Sequence, residues 1–127
     1  MSKKKKYTVE FPFKSSPGIL YNYLSTPSGL SEWFCDDVDI HEKKHYTFKW
    51  GDSEESADMI KNSPNKYIRY HWSESPEDEF FEFEIIQDEI TGDVALVITD
   101  FAPENEIEES KKLWETQIQT LKTSIGS

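Results

Sequence analysis

Residues 103–126 read PENEIEESKKLWETQIQTLKTSIG, and this stretch decides how the chain folds. Its large apolar side chains recur at intervals of seven, four, three and four residues, the spacing of one face of an α-helix. They are Ile107, Trp114, Ile118, Leu121 and Ile125. Acidic residues open the segment, where they complement the helix dipole, and Gly126 is placed to end it. The pattern predicts one long amphipathic helix whose apolar face must pack against the rest of the chain.

The chain ahead of this helix alternates apolar and polar side chains, which is typical of strands with one buried face. Short turns such as Thr91-Gly92-Asp93 separate these strands and favour antiparallel pairing between neighbours. The pattern predicts an antiparallel sheet of six or seven strands. They are expected near residues 7–13, 38–40, 46–50, 57–61, 68–72, 81–86 and 94–98.

Two short helices are predicted between the first and second strands. Ser16-Pro17 and Thr26-Pro27 each combine a capping side chain with a proline, which is a common start of a helix. We therefore expect helices over residues 17–24 and 27–33. Because no internal repeat or linker interrupts the pattern, we expect a single α+β domain over residues 1–127.

The amino-acid composition argues against some classes of binding partner. A formal net charge of -11 opposes binding to nucleic acid and to anionic membranes, and no segment is long and apolar enough to span a bilayer. The single cysteine, Cys35, cannot form an internal disulfide, which suits a reducing cytoplasm. The four lysines at residues 3–6 precede no apolar run, so they are expected to be a solvated lead-in to the first strand rather than part of a secretory signal. A docking patch for a partner is the alternative.

Two segments carry a resemblance to a known superfamily. They are SPGILYNYLSTPSGLSEWF at residues 16–34 and LWETQIQTLK at residues 113–122. Together with the order of the predicted elements, they resemble the helix-grip superfamily, which includes START lipid-transfer domains, the birch-pollen allergen, polyketide cyclases and heat-shock ATPase activator homologues. The nearest members are the activator homologues and compact START-like domains, although Leu113 stands where many activator homologues have Gly. The resemblance implies a curved sheet wrapped around the long C-terminal helix.

In such a fold the inward-facing side chains of the strands would face the helix and line a cavity between the two. An apolar, aromatic lining of this kind favours a small apolar or amphipathic, lipid-like ligand, and the alternative is that the rings simply fill the core. Asp100 would lie at the mouth of the cavity, where it could serve as an acid or base or cap the following turn. The cavity residues we predict are Phe48, Trp50, Tyr70, Trp72, Phe81, Phe83, Leu96, Ile98, Asp100, Trp114 and Ile118.

The remaining polar residues give no sign of catalysis. The histidines His41, His45 and His71 lack a recognised metal-ligand spacing, and the aspartates after Cys35 disfavour a reactive thiolate. The acidic run at residues 74–79 lacks the pattern of a calcium loop and is expected to be a solvated hairpin tip. We therefore predict no catalytic residue, metal or cofactor.

Three functions stay open at the level of sequence. The favoured one is a non-enzymatic module that binds a small ligand. The second is a co-chaperone or another protein-interaction domain with a protein partner. The third is an enzyme of the cyclase or dehydratase kind, as the resemblance allows.

Overall fold

The computed structural model describes residues 4–126, which form one seven-stranded antiparallel sheet and three α-helices. The strands are β1 (Lys4–Phe13), β2 (Asp37–His41), β3 (His45–Trp50), β4 (Ser53–Ser63), β5 (Tyr67–Trp72), β6 (Phe81–Gln87) and β7 (Val94–Pro103). The helices are α1 (Pro17–Ser25), α2 (Pro27–Leu30) and α3 (Ile107–Ile125).

The order of strands across the curved sheet is β1-β7-β6-β5-β4-β3-β2. Consecutive strands pair from β2 to β7, and the long β1 returns to pair with β7 from Lys4 opposite Pro103 to Phe13 opposite Val94. This arrangement confirms the predicted helix-grip fold, with its short helices after the first strand and its long helix at the end. The lysines were predicted to precede the first strand, but β1 already begins at Lys4. Lys4–Lys6 are exposed residues of that strand. Lys3 lies outside the described residues.

The two short helices start as predicted. The Ser16 hydroxyl accepts a hydrogen bond from the Ile19 amide at 3.3 Å, and the Thr26 hydroxyl accepts one from the Gly29 amide at 3.0 Å. The first helix ends one residue later than predicted. The prediction that the second helix reaches residue 33 is wrong, because it ends at Leu30. The chain then turns, with several successive amides converging on the Leu30 carbonyl.

The long helix packs on the sheet through the predicted face. Its stripe is buried at Trp114, Ile118 and Leu121 and partly buried at its two outer positions. A 3-10 turn, Glu104–Glu106, precedes it, so the α-helix begins later than the first acidic residues suggested. Gly126 ends it with a φ of 85°, a left-handed conformation that glycine adopts without strain. Within residues 4–126, no helix is both long and apolar enough to cross a membrane.

Candidate functional site

A cleft of about 220 Å³ lies where α3 crosses one end of the sheet. Strands β3, β5, β6 and β7 and the turn after α2 supply one wall, and α3 supplies the other. The wall combines aromatic rings with a few polar side chains. The lining residues are Phe34, Trp50, Trp72, Phe81, Asp100, Ser110, Leu113, Trp114 and Gln117.

Phe34 joins the two walls of the cleft. Its ring centroid lies 5.7 Å from that of Trp50 on the sheet and 6.2 Å from that of Trp114 on α3. It also stacks on Phe81, with centroids 5.8 Å apart. Offset and edge-on contacts at these distances are the favoured geometries of aromatic pairs, so the wall is held together by its own rings.

The two tryptophans of the sheet are fixed at the ends of their strands. The Trp50 Nε1 donates a hydrogen bond of 2.7 Å to the Phe34 carbonyl, which satisfies the polar group of this half-buried ring. Trp72 lies 6.3 Å from Trp50 and 4.8 Å from Phe81, measured between ring centroids. The rings from β3, β5 and β6 therefore form one continuous aromatic surface, which passes over the intervening β4.

Asp100 is the acidic residue of the cleft, and three donors hold it. Its Oδ2 accepts hydrogen bonds from the Trp114 Nε1 at 3.0 Å and from the Tyr7 hydroxyl at 3.4 Å. Its Oδ1 accepts one from the Phe101 amide at 2.8 Å. The carboxylate thus connects the first strand, the last strand and the long helix at the cleft.

Burial determines how these groups titrate. It raises the pKa of the Asp100 carboxyl above its ordinary value, although the hydrogen bonds from Phe101, Trp114 and Tyr7 and the charge of Lys4 act in the opposite direction. Burial, together with the adjacent Asp100 charge, raises the pKa of Tyr7 to about 12. At neutral pH Tyr7 therefore remains a neutral donor to the carboxylate.

This raised pKa predicts a pH dependence of stability. Because the folded pKa exceeds the unfolded one, Asp100 stabilises the fold most below the unfolded pKa, and the contribution is lost as pH rises through the folded pKa. We therefore expect the free energy of unfolding of the wild type, relative to that of Asp100→Asn, to fall with rising pH over this interval. Urea unfolding at a series of pH values checks this, and parallel curves for the two proteins would contradict it.

The structure divides the predicted cavity residues into two groups. Five of them line the cleft: Trp50, Trp72, Phe81, Asp100 and Trp114. The other six are fully buried in the core and do not belong to the lining: Phe48, Tyr70, Phe83, Leu96, Ile98 and Ile118. Whether any of them contacts a ligand stays a prediction.

Sequence reasoning missed four residues of the lining. Ser110, Leu113 and Gln117 lie on the same face of α3 as Trp114, and their spacing from it carried that signal. A pattern of apolar side chains does not mark Ser110 and Gln117, because they are polar, and Leu113 lies outside the regular apolar stripe of the helix. Phe34 follows the predicted second short helix, and nothing local in the sequence places it against α3.

Two of the histidines contact residues outside the cleft, and the cysteine is buried. The His45 Nδ1 lies 2.8 Å from Asp58 Oδ1, and the His71 Nε2 lies 3.0 Å from the Pro76 carbonyl oxygen. Cys35 is buried, and burial raises the pKa of its thiol to about 12. Over residues 4–126, no cluster of His, Cys, Asp and Glu is arranged to hold a metal ion.

Comparison with known proteins identifies the family. The model of the START-like superfamily domain matches residues 1–127, and the chain belongs to this superfamily. The solution structure of BfR322 from Bacteroides fragilis is 35% identical, covers 98% of this chain and 92% of its own, and superposes with a TM-score of 0.70. A search of curated proteins finds no sequence that matches.

More distant structures share the fold alone. The Aha1 dimer from Colwellia psychrerythraea is 17% identical, with a TM-score of 0.79 and coverage of 95% of this chain and 96% of that one. The protein MLL2253 from Mesorhizobium loti is 15% identical, with a TM-score of 0.76 and coverage of 94% and 95%.

Proposed function

We propose that this START-like domain binds one small, largely apolar molecule in the cleft under α3. The observation that carries the proposal is the aromatic cleft itself, whose rings pack on one another and yet leave about 220 Å³. Apolar pockets with a few polar groups are the usual form of small-molecule sites. Here the polar groups are Asp100, Ser110 and Gln117.

The volume of the cleft limits the size of the ligand. A dry cavity of roughly 150 Å³ is large enough to hold benzene, whereas pockets for drug-sized molecules span roughly 300–1,000 Å³. The cleft falls between these values, so it suits a molecule of about one ring rather than a whole lipid. The fully buried Phe48, Phe83 and Ile118 favour the same size, because a longer acyl chain would have to displace core side chains.

The other two functions have less support. An enzyme needs several polar groups converging on a substrate, and among the described lining residues Asp100 is the one acidic or basic side chain. Its lone pairs are largely engaged by Tyr7, Trp114 and Phe101. For a protein-interaction role, the likeness to the Aha1 dimer, at 17% identity, carries the fold and no partner.

A pair of matched variants on α3 tests the proposal. Gln117 lines the cleft, whereas Gln119, two residues on, is exposed on another face of the same helix. We expect cyclohexanol to bind the wild type and Gln119→Phe alike, and to bind Gln117→Phe at least about ten-fold more weakly, because the added ring fills the cleft. Isothermal titration calorimetry gives the affinities, and the indole N–H signals of Trp50 and Trp114 in NMR spectra locate the site.

Two results would count against the proposal. One is the absence of saturable binding to the wild type at any accessible concentration of cyclohexanol. The other is equal affinity in both variants, since binding would then take place away from the cleft. Thermal unfolding of each variant shows whether it is folded under the conditions of the titration.

A further inference from the structure

The cleft wall is suited to a positive charge. Five of its lining residues are aromatic, and three of these are tryptophans, namely Trp50, Trp72 and Trp114. The face of an aromatic ring is negative, and a cation within about 6 Å of the ring centroid is attracted to it, most strongly by Trp. A neutral apolar ligand would gain from the same burial but not from this electrostatic attraction.

Among the described lining residues, a formal charge comes from an acidic side chain alone. Asp100 contributes a carboxylate, and none of the described lining residues is basic. Lys4, whose charge reaches Asp100, has its own acidic neighbour, since its Nζ lies 3.5 Å from Glu79. The whole chain carries a formal net charge of -11. These charges favour the approach of a cation and oppose that of a carboxylate or phosphate.

The hydrogen bonds of Asp100 further restrict the cation. A carboxylate offers about four lone-pair sites, and Trp114, Tyr7 and Phe101 occupy three of them. A primary ammonium would bring three N–H donors into a cleft in which the other side-chain acceptors of the described lining belong to Ser110 and Gln117. A fully methylated ammonium brings no donor, and its methyl groups can lie directly on the rings.

From this combination of aromatic rings, one carboxylate and few remaining acceptors, we infer that the cleft under α3 is selective for a small quaternary ammonium group. The inference rests on the proposed function and names the chemical class of its ligand. A trimethylammonium group suits the volume of about 220 Å³. The group can belong to a free small molecule or to the headgroup of a lipid.

Choline and its neutral carbon isostere, 3,3-dimethylbutan-1-ol, are the probes that test the inference. The two molecules have nearly the same shape, and they differ in whether nitrogen or carbon holds the methyl groups. We expect the wild type to bind choline about ten-fold more tightly than the isostere in calorimetric titrations at low ionic strength. A parallel titration with glycerophosphocholine distinguishes a lipid headgroup from a free small molecule as the source of the ammonium group. If glycerophosphocholine binds more tightly than choline, the ligand is a lipid headgroup. If it binds more weakly, the ligand is a free ammonium compound.

Two variants test whether the preference for choline over the isostere arises in the cleft. Trp72→Leu removes a π-face while keeping an apolar side chain, and Asp100→Asn removes the charge while keeping an acceptor for Trp114 and Tyr7. In each variant we expect the preference for choline to shrink to about three-fold or less, because the affinity for choline should fall more than the affinity for the isostere. Because Trp72 is only half-buried, Trp72→Leu should remain folded, and thermal unfolding verifies this for both proteins.

The outcomes separate the inference from the function on which it rests. Equal affinity of the wild type for choline and the isostere would refute the ammonium inference and leave small-molecule binding in place. A preference for choline that survives both substitutions would also refute it, because the cation would then bind elsewhere. Failure of choline, the isostere and cyclohexanol to bind at all would refute the proposed function together with the inference.

Discussion

Replacing Tyr70 by alanine is expected to lower the free energy of unfolding by about 3–5 kcal/mol, while Tyr70→Phe is expected to lower it by about 1–3 kcal/mol. The side chain is 0% exposed, and its ring centroid lies 5.0 Å from those of Tyr46 and Phe81. Its hydroxyl donates a hydrogen bond of 2.7 Å to the Leu24 carbonyl at the end of α1. The alanine variant loses both the ring and this bond, whereas the phenylalanine variant loses only the bond.

The second substitution isolates the cost of an unpaired polar group. Burial keeps the pKa of the Tyr70 hydroxyl well above its usual value, so the group remains a neutral donor at any ordinary pH. Without it, the Leu24 carbonyl loses this donor in a buried environment, which carries a desolvation penalty. Since domains are stable by only about 5–15 kcal/mol, the alanine variant should be close to unfolding.

Urea unfolding followed by tryptophan fluorescence measures both effects. Tyr21→Phe is a matched control, because the Tyr21 hydroxyl accepts a hydrogen bond from the Asn62 side chain at 3.0 Å in an exposed position. Its loss should cost no more than about 0.5 kcal/mol. If Tyr70→Phe were as stable as Tyr21→Phe, the buried hydrogen bond would not contribute as we argue.

The order and type of the elements could be predicted because each has a strong periodic signal. Three successive members of the α3 stripe, Trp114, Ile118 and Leu121, are buried, and β3, β5 and most of β7 alternate between buried and more exposed residues. Features that depend on contacts between neighbouring strands could not be predicted from periodicity. The pairing of β4 with β5 shifts register between Met59 and Lys61, although no turn residue in the sequence marks this irregularity.

The candidate site was predictable only in part, for a physical reason. The period of a strand tells which face a side chain occupies but not how deep it lies beneath the opposite layer. Phe48 and Trp50 share the inward face of β3, yet Phe48 is in the core and Trp50 lines the cleft. Depth depends on where α3 crosses the sheet, and this crossing is set by contacts between residues far apart in sequence. Phe34, which joins the two walls, was missed for the same reason.

The second large effect is expected at Gly29. Replacement by alanine should lower the free energy of unfolding at Gly29 and raise it at Gly18. A Cβ atom on Gly29 would lie 2.6 Å from the Tyr23 Cα and closer still to the Asn22 carbonyl oxygen, both of them backbone atoms. A Cβ on Gly18 would meet nothing nearer than the Asn65 side chain at 3.8 Å. Steric crowding is therefore confined to the junction of the two short helices.

We expect Gly29→Ala to lower the free energy of unfolding by about 3 kcal/mol or more, at the upper end of what overpacking costs. Gly18→Ala should raise it by up to about 1 kcal/mol, because alanine favours the helical conformation of α1. Gly29 also precedes the turn that carries Phe34, whose amide donates to the Leu30 carbonyl at 2.9 Å. A displaced α2 should therefore shift Phe34 and weaken the binding of cyclohexanol, whereas Gly18→Ala should leave it unchanged.

Urea unfolding of the two variants measures the change in stability, and calorimetric titration with cyclohexanol measures the change in binding. A Gly29→Ala protein as stable as Gly18→Ala would mean that α1 and α2 can separate at little cost, so that their contact does not fix the turn after α2. If Gly29→Ala were destabilised but bound cyclohexanol with wild-type affinity, the position of Phe34 would not depend on that contact. Loss of both properties in Gly29→Ala alone would show that the tight approach of the two short helices, and not only the rings themselves, builds the aromatic wall of the cleft.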